Sequence, residues 1–372
     1  MVSQKIKTKG RDPVKREEIL SYIRERVHRG IWRPGDKLPP RTWFEQQFDA
    51  APLTVQRTFQ ILIDDKVLCS EKRIGTRVSL RQPHLSRYGV ILYGTRKLES
   101  MFSQVFIKAL EQVAEKEEID IDCFFVLGLT KDAEDYRRLL YGIENGLFAG
   151  LFFATIPNSL ANTPAVCNDL PKIAIGHPSR EFPELPTINL DTEGVVTEVL
   201  RYFSKCGCRR IAAILSGENS HLENCVSFQK KAAEFGLDAP AGYVLELSAV
   251  SPFQVRPLTH LLFSPDNSQP PEGLYDGDDN FLPHVIDILR ERFGDDAEQK
   301  VKIVSQVNFP RISEYDFPVK FFGFDLADLF LRCIKTMREL RKNAQPTPAL
   351  LFEPMEDSAT MDSHTTKKEG TK

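Results

Sequence analysis

The sequence predicts an α/β protein: a small basic head of three helices and a β-hairpin, followed by two lobes of doubly wound parallel sheet. Three observations predict it. Residues 1–86 carry 18 Lys+Arg against 10 Asp+Glu, so a head of charge +8 precedes a body of −11 within a 372-residue chain of net charge −3. Apolar residues in that head recur first at helical spacing and then in two short β-prone runs. From residue 88 onward, near-continuous apolar runs alternate with amphipathic stretches, the pattern of parallel strands buried on both faces and connected by helices. With 41% hydrophobic and 10% aromatic residues, the chain can bury more than one core.

A basic head on an acidic body suits a polyanion-binding module joined to a domain with another task, because phosphate neutralisation needs clustered cations. The seven cysteines (69, 123, 167, 206, 208, 225 and 333) are odd in number, and Cys206-x-Cys208 has neither a redox nor a zinc spacing. That usage fits a reducing, cytoplasmic setting. The charged start MVSQKIKTKGRDPVKREE has no apolar stretch behind it, and no eighteen consecutive apolar residues occur, so neither export nor membrane spanning is expected.

In the head, Ile19, Leu20, Ile23 and Val27 mark a first helix from Pro13 to Gly30, with Lys15, Arg16, Arg24 and Arg26 on its other faces. A second helix is expected at Thr42, where Thr42 to Glu45 has capping-box spacing and Phe44 and Phe48 share a face. Arg41 before it is a candidate phosphate clamp. A third helix, Pro52 to Asp64, buries Val55, Phe59 and Leu62 and turns Thr54, Gln56, Arg57 and Gln60 outward. Those types reach base edges and phosphates from a helix in the major groove. Val67 to Cys69 and Thr76 to Ser79 flank Glu71-Lys72-Arg73-Ile74-Gly75 and read as a hairpin with a basic tip.

The run GIWRPGDKLPPRTWFEQQFDAAPLTVQRTFQILIDDKVLCSEKRIGTRV resembles the winged helix-turn-helix of the GntR family. Its landmarks are Pro34-Gly35-Asp36-Lys37-Leu38-Pro39, Thr54-Val55 and Gly75-Thr76-x-Val78. The resemblance implies DNA binding through Arg41, Thr42, Thr54, Gln56, Arg57, Lys72, Arg73, Gly75, Thr76 and Arg77. Ala51-Pro52 stands where the family often has Ser-Arg, and Arg41-Thr42 where Glu-Arg is usual, so the phosphate grip is expected to rest on Arg41, Arg57 and the wing.

Behind a polar linker, 81–87, strands are expected at RYGVILYG, IDCFFVL, 150–155, 172–175, 187–189, 210–215 and 242–247. Helices are expected at 102–118, 133–144, 195–205, 222–235 and 254–263. About 270 such residues exceed one comfortable core, which favours two lobes over 88–356, with ligands near the carboxyl ends of strands. Residues 357–372 read as a disordered tail.

TINLDTEGVVTEVLRYFSKCGCRRIAAILSG is similar to the effector domain of the lac repressor family, of periplasmic-binding-protein type, through Asp191, Gly194, Gly207, Arg209-Arg210-Ile211 and Ser216-Gly217. That resemblance implies a small-molecule, sugar-like effector held between the lobes, with Tyr93, Phe102, Asn224, Asp279 and Asn308 as pocket candidates. Asn224 and Asn308 stand where the family commonly has a sugar-gripping Arg and Asp. No GxSxG, GxxxxGK[ST], HExxH or GxGxxG occurs and the seven histidines form no spaced cluster, so no catalytic residue, metal or cofactor is expected.

Together these readings predict a homodimeric, operator-binding transcription regulator, a repressor, with double-stranded DNA and an effector as partners. The alternatives are a C-terminal domain that only dimerises, or a carbohydrate- or nucleoside-processing enzyme carrying a nucleic-acid module.

Overall fold

The computed structural model describes residues 11–71, 75–92, 101–126, 134–154, 160, 162–176, 185–216, 221–247, 254–342 and 350–357. In chain order the head comprises α1 (Arg11–His28), α2 (Arg41–Phe48), α3 (Pro52–Asp64), β1 (Leu68–Glu71), β2 (Gly75–Val78) and α4 (Pro83–Ser86). Then come β3 (Arg87–Leu92), α5 (Met101–Lys116), β4 (Asp120–Phe125), α6 (Glu134–Glu144), β5 (Gly150–Phe153), β6 (Lys172–Ile175) and β7 (Thr187–Leu190). They are followed by α7 (Thr192–Lys205), β8 (Ile211–Ser216), α8 (His221–Glu234), β9 (Val244–Leu247), α9 (Val255–Leu262), β10 (Gly273–Asp276), α10 (Leu282–Phe293) and α11 (Ala297–Lys300). The chain closes with β11 (Lys302–Phe309), β12 (Val319–Asp325), α12 (Leu326–Lys342), β13 (Leu350–Phe352) and β14 (Met355–Glu356).

The chain divides into two compact units. One holds residues 1–94, 114–174 and 179–185; the other holds 95–113, 175–178 and 186–372. In the first unit the head is a winged three-helix fold. Ile19, Ile23, Phe44, Val55, Phe59, Leu62 and Val78 are fully buried at its centre, and the rings of Phe44 and Phe59 meet edge to face at 5.1 Å, a geometry that adds to their area burial. The wing is antiparallel, registered from Leu68 opposite Val78 to Glu71 opposite Gly75. Gly75 has φ of +108°, a conformation that L side chains rarely adopt. Parallel strands β6, β5, β3 and β4 lie side by side in the same unit, and α6 buries Tyr136 and Leu139 in their core.

Several head residues depart from the sequence reading. Arg24 does not face solvent; it is 8% exposed and ion-paired with Asp65 at 2.6 Å. The cap of α2 is Pro40, with no side-chain hydrogen bond, so Thr42 falls inside the first turn instead of capping it. Leu147, from the turn between α6 and β5, is 4% exposed within the hydrophobic cluster of the head. A residue sixty-nine positions beyond the wing thus completes the core of the winged fold.

In the second unit the sheet runs β14-β12-β11-β10-β8-β9, parallel except for β14 against β12, and β13 pairs in parallel with β7. Ile214, Leu274, Phe281, Leu289 and Ile303 anchor its core. The α5 stripe of Val105, Phe106, Ala109, Leu110 and Val113 is buried, and Phe106 meets the Phe330 ring edge to face at 4.7 Å. Asp357 is tied to Arg311 at 2.9 Å. Among the described residues, no helix is long and apolar enough to cross a membrane.

Truncating Leu147 to Ala empties a filled position in the head core and is expected to destabilise the first unit by about 3 kcal/mol. Denaturant unfolding followed by tryptophan fluorescence, with Trp32 and Trp43 both in the head, reads this loss. A change below about 0.5 kcal/mol, the range of ordinary surface substitutions, would mean that the head closes its core without Leu147.

Candidate nucleic-acid interface and ligand site

The apolar stripe of α3 fixes what the helix shows to solvent. With Val55, Phe59 and Leu62 fully buried, Gln56, Arg57 and Gln60 are exposed on the opposite side. Thr54 corrects the outward-facing expectation: it is 6% exposed, and its carbonyl accepts the Thr58 hydroxyl at 2.8 Å. Gln60 donates to Asp64 at 2.8 Å. Arg41 and Thr42 are exposed at the start of α2, and the Arg41 guanidinium stands 5.4 Å from the Phe59 ring centroid, so the buried core residue of α3 also orients a surface cation. Neither α2 nor α3 receives a side-chain cap at its N-terminus, which leaves the first N–H groups of α2 and the Leu53 N–H of α3 available to anionic oxygens, whereas Pro52 has none and the Thr54 N–H donates to the Ala51 carbonyl.

In the wing, Gly75 is exposed and Thr76 half-buried. Arg77 donates to the Gly35 carbonyl at 2.8 Å and lies 3.7 Å from Glu71. Its guanidinium joins the wing to the loop before α2. Lys72 and Arg73 lie outside the described residues. Arg33 and Lys37, not singled out by the sequence, are exposed in that same loop; their signal was the PGDK turn, which by geometry holds flanking residues at the surface.

The second candidate site gathers at the carboxyl ends of the parallel strands of the second unit, where open α/β sheets hold ligands. Strand β10 ends in Asp276, fully buried, whose carboxylate accepts the Ser305 hydroxyl at 3.0 Å. Burial, then the neighbouring Asp278, pushes this carboxyl well above the usual carboxylate range. Asp278 is braced by the Ser216 hydroxyl at 3.2 Å, by the Asn280 amide side chain at 2.6 Å and by the Asn280 backbone N–H at 3.0 Å. Burial and then Asp278 push Asp279 up to about 7. Tyr315 is pushed up to about 12 by burial first and Asp279 next. Its hydroxyl is buried without a hydrogen-bond partner, and the nearby Ser313 opposes the upward shift.

Of the residues expected at this site, Asp279 lies at its centre. Phe102, 38% exposed, is on α5, one residue after Met101, whose N–H donates to Asn280 at 3.0 Å. Asn308 is half-buried on β11, in register with Phe324. Asn224 is engaged elsewhere, donating to both carboxylate oxygens of Glu246 at 3.3 Å. Tyr93 lies outside the described residues. Asp276, Ser305 and Tyr315 were missed; a lone acidic residue ending the apolar strand GLYD was the available signal for the first of them. Among the described residues, no group of three or more His, Cys, Asp or Glu could hold a metal ion.

Residues 15–78 match the family described as bacterial regulatory proteins, gntR family. Over 63 residues the chain is 32% identical to the histidine utilization repressor of Klebsiella aerogenes, a match spanning 17% of this chain and 26% of that protein. The chain thus spans about a quarter of the length of the curated relative it matches. Solved structures resemble the remainder. A LacI family transcription regulator from Clostridium acetobutylicum is 17% identical with a TM-score of 0.56, over 73% of this chain and 98% of that one. A regulatory protein of the LacI family from Chloroflexus aggregans is 18% identical with a TM-score of 0.57, over 73% and 96%. The transcription regulator CcpA of Lactococcus lactis is 17% identical with a TM-score of 0.55, over 74% and 98%. The chain thus has a winged head whose residues 15–78 match the gntR family model, and an α/β fold similar to that of the LacI-family regulators, as the sequence predicted.

Asp279 gives the candidate site a pH signature. The folded chain holds this proton up to about pH 7, whereas an ordinary aspartate releases it near 3.8. The native state therefore binds more protons across that window, and stability is lost as pH rises through it. Asp279→Asn is expected to raise the thermal midpoint at pH 8 by about 2–4 °C for each kcal/mol relieved, with the gain shrinking toward pH 5. An equal shift at both pH values would contradict a raised Asp279.

Proposed function

We propose that the chain is a sequence-specific DNA-binding transcription regulator, acting as a repressor, whose operator affinity is set by a small-molecule effector held in its C-terminal α/β domain. The observation that carries this reading is α3: a helix with Val55, Phe59 and Leu62 fully buried and Gln56, Arg57 and Gln60 exposed, within the segment that matches the gntR family. Gln and Arg are the side chains that make bidentate contacts to adenine and guanine edges in the major groove. Arg57, Arg41 and the first turns of α2 and α3 supply phosphate contacts, joined by Lys72 and Arg73 of the wing. A homodimer presents two heads to two half-sites, and one winged head alone covers too few base pairs for high specificity.

The effector is recognised around Asp279, Tyr315 and Phe102, with Asn308 on the neighbouring strand. Protonatable carboxyls and an unsatisfied phenol suit a neutral polyhydroxylated, sugar-like molecule, whose hydroxyls both donate and accept. Effector binding shifts DNA affinity by linkage, and DNA shifts effector affinity by the same factor. The domain performs no catalysis in this reading. A second reading, a domain that only dimerises, draws support from Asn224, whose amide is committed to Glu246. Thermal-shift screening of the full chain against sugars separates the two, because a bound effector raises the midpoint by mass action.

Arg57→Ala in the full chain is expected to weaken DNA binding and reduce the slope of log affinity against log salt by about 1, whereas Gln56→Ala costs about 1–3 kcal/mol on the preferred sequence and leaves the slope unchanged. Fluorescence anisotropy over a salt series measures both. Unaltered affinity and slope in the double variant would remove α3 from the interface.

A further inference from the structure

We propose that Tyr141 and Asn145, on and just beyond α6 of the parallel-sheet lobe, are positioning residues for DNA reading that act through Arg24 and Asp65 on the orientation of α3. The inference rests on the reading of α3 as the base-contacting helix.

Asp65 caps the C-terminus of α3 and is 9% exposed. Its carboxylate accepts from Arg24 at 2.6 Å and from the Tyr141 hydroxyl at 3.0 Å. Arg24 in turn donates to the Asn145 side-chain carbonyl, and the Asn145 amide donates to the Tyr141 backbone carbonyl at 2.7 Å. Arg24 of α1, Asp65 at the end of α3, Tyr141 of α6 and Asn145 just beyond it therefore form a ring of hydrogen bonds that closes through the Tyr141 backbone carbonyl. A buried ion pair adds little net stability, since desolvation offsets its attraction; its attested use is to fix geometry. Burial and then the Asp65 charge raise the Tyr141 phenol above its ordinary value, which keeps it a donor to that carboxylate.

The lobe end of this ring is rigid. Asp135 in the first turn of α6 accepts the Phe125 N–H of β4 at 3.1 Å, and Gly142 lies so close to Phe148 that no side chain fits there. The head end is equally committed. Leu147 belongs to the head core, a side chain at Gly146 would run into His28, His28 and His84 rings lie 4.3 Å apart, and Lys66, the residue after Asp65, pairs with Asp120 at 3.1 Å. A shift of α6 against β4 thus reaches the end of α3 through hydrogen bonds instead of through a slack linker. Packed elements of this kind adopt discrete arrangements and do not deform continuously.

The test uses the full chain, a duplex enriched from a random-sequence pool on the wild-type protein, and a shuffled duplex of the same length. Tyr141→Phe and Asn145→Ala are each expected to weaken the enriched duplex about fivefold, with affinity for the shuffled duplex and its salt slope unchanged, since phosphate contacts persist when α3 is misaligned. Asn145→Asp, which retains an acceptor for Arg24, is expected to restore most of that loss, a rescue that general destabilisation would not give. Amide exchange over Ile61 to Asp65 is expected to rise in Tyr141→Phe. Wild-type affinity in both variants, or the same drop on both duplexes, overturns the positioning role. If Arg57→Ala weakens the enriched duplex while Tyr141→Phe does not, only this role falls; if Arg57→Ala also has no effect, the DNA-reading assignment of α3 falls with it. Should Tyr141→Phe unfold, the comparison of Asn145→Ala with Asn145→Asp decides the question.

Discussion

The ion pair between Arg24 and Asp65 is the contact on which the first unit depends. Two opposite charges withdrawn from water are costly unless further polar groups engage them; here Tyr141 donates to Asp65 and Asn145 accepts from Arg24, both from the lobe, while the Arg24 Nε–H is buried without a partner. The pair therefore settles the packing of α1 against α3 and, with Leu147 filling the head core, ties the winged fold to the lobe that follows it in sequence. Removing either charge would strand the other in a poorly solvated site. That asymmetry makes the contact a determinant of geometry more than a source of net stability.

The two candidate sites have opposite electrostatic characters, and both follow from local packing. The head shows cations and amides on α3 because the apolar stripe Val55, Phe59 and Leu62 is turned inward; Arg41, stacked near Phe59, is held by the core it covers. The second unit concentrates carboxyls at strand ends, where Asp276 and Asp279 are pushed toward their neutral forms by burial first and the neighbouring Asp278 next. Neutral carboxyls beside an unpartnered phenol can donate and accept hydrogen bonds, whereas a fully ionised cluster would select for cations.

Much of the fold was legible in the sequence because burial imposes periodicity. The stripe Val55, Phe59, Leu62 gave α3, and apolar runs such as RYGVIL and GLFF gave parallel strands to within a residue or two. What periodicity does not encode is the partner of a polar residue. Arg24 reads as a solvated face residue, and only the distant Asn145 and Tyr141 make it a buried one. Thr54 reads as outward-facing, yet it shares the buried face of α3 with Val55 and Thr58 while Pro52 and Leu53 beside it are exposed. Arg77 reads as a phosphate contact, and the loop carbonyl that its guanidinium meets is forty-two residues away. At the candidate ligand site the sequence reading named Asp279 but not Asp276 or Tyr315, since strands and loops that converge only in the folded sheet bring those two beside it. Lys72, Arg73 and Tyr93 lie outside the described residues.

The central claim is that this chain reads DNA sequence. Selection of random-sequence duplexes on the full-length wild-type protein, followed by sequencing of successive rounds, tests it most directly. Enrichment of one motif with two related half-sites about one helical turn or a multiple of it apart is the result that a dimer of winged heads predicts. A pool that remains as diverse as the input after several rounds, with binding governed by salt alone, would contradict it.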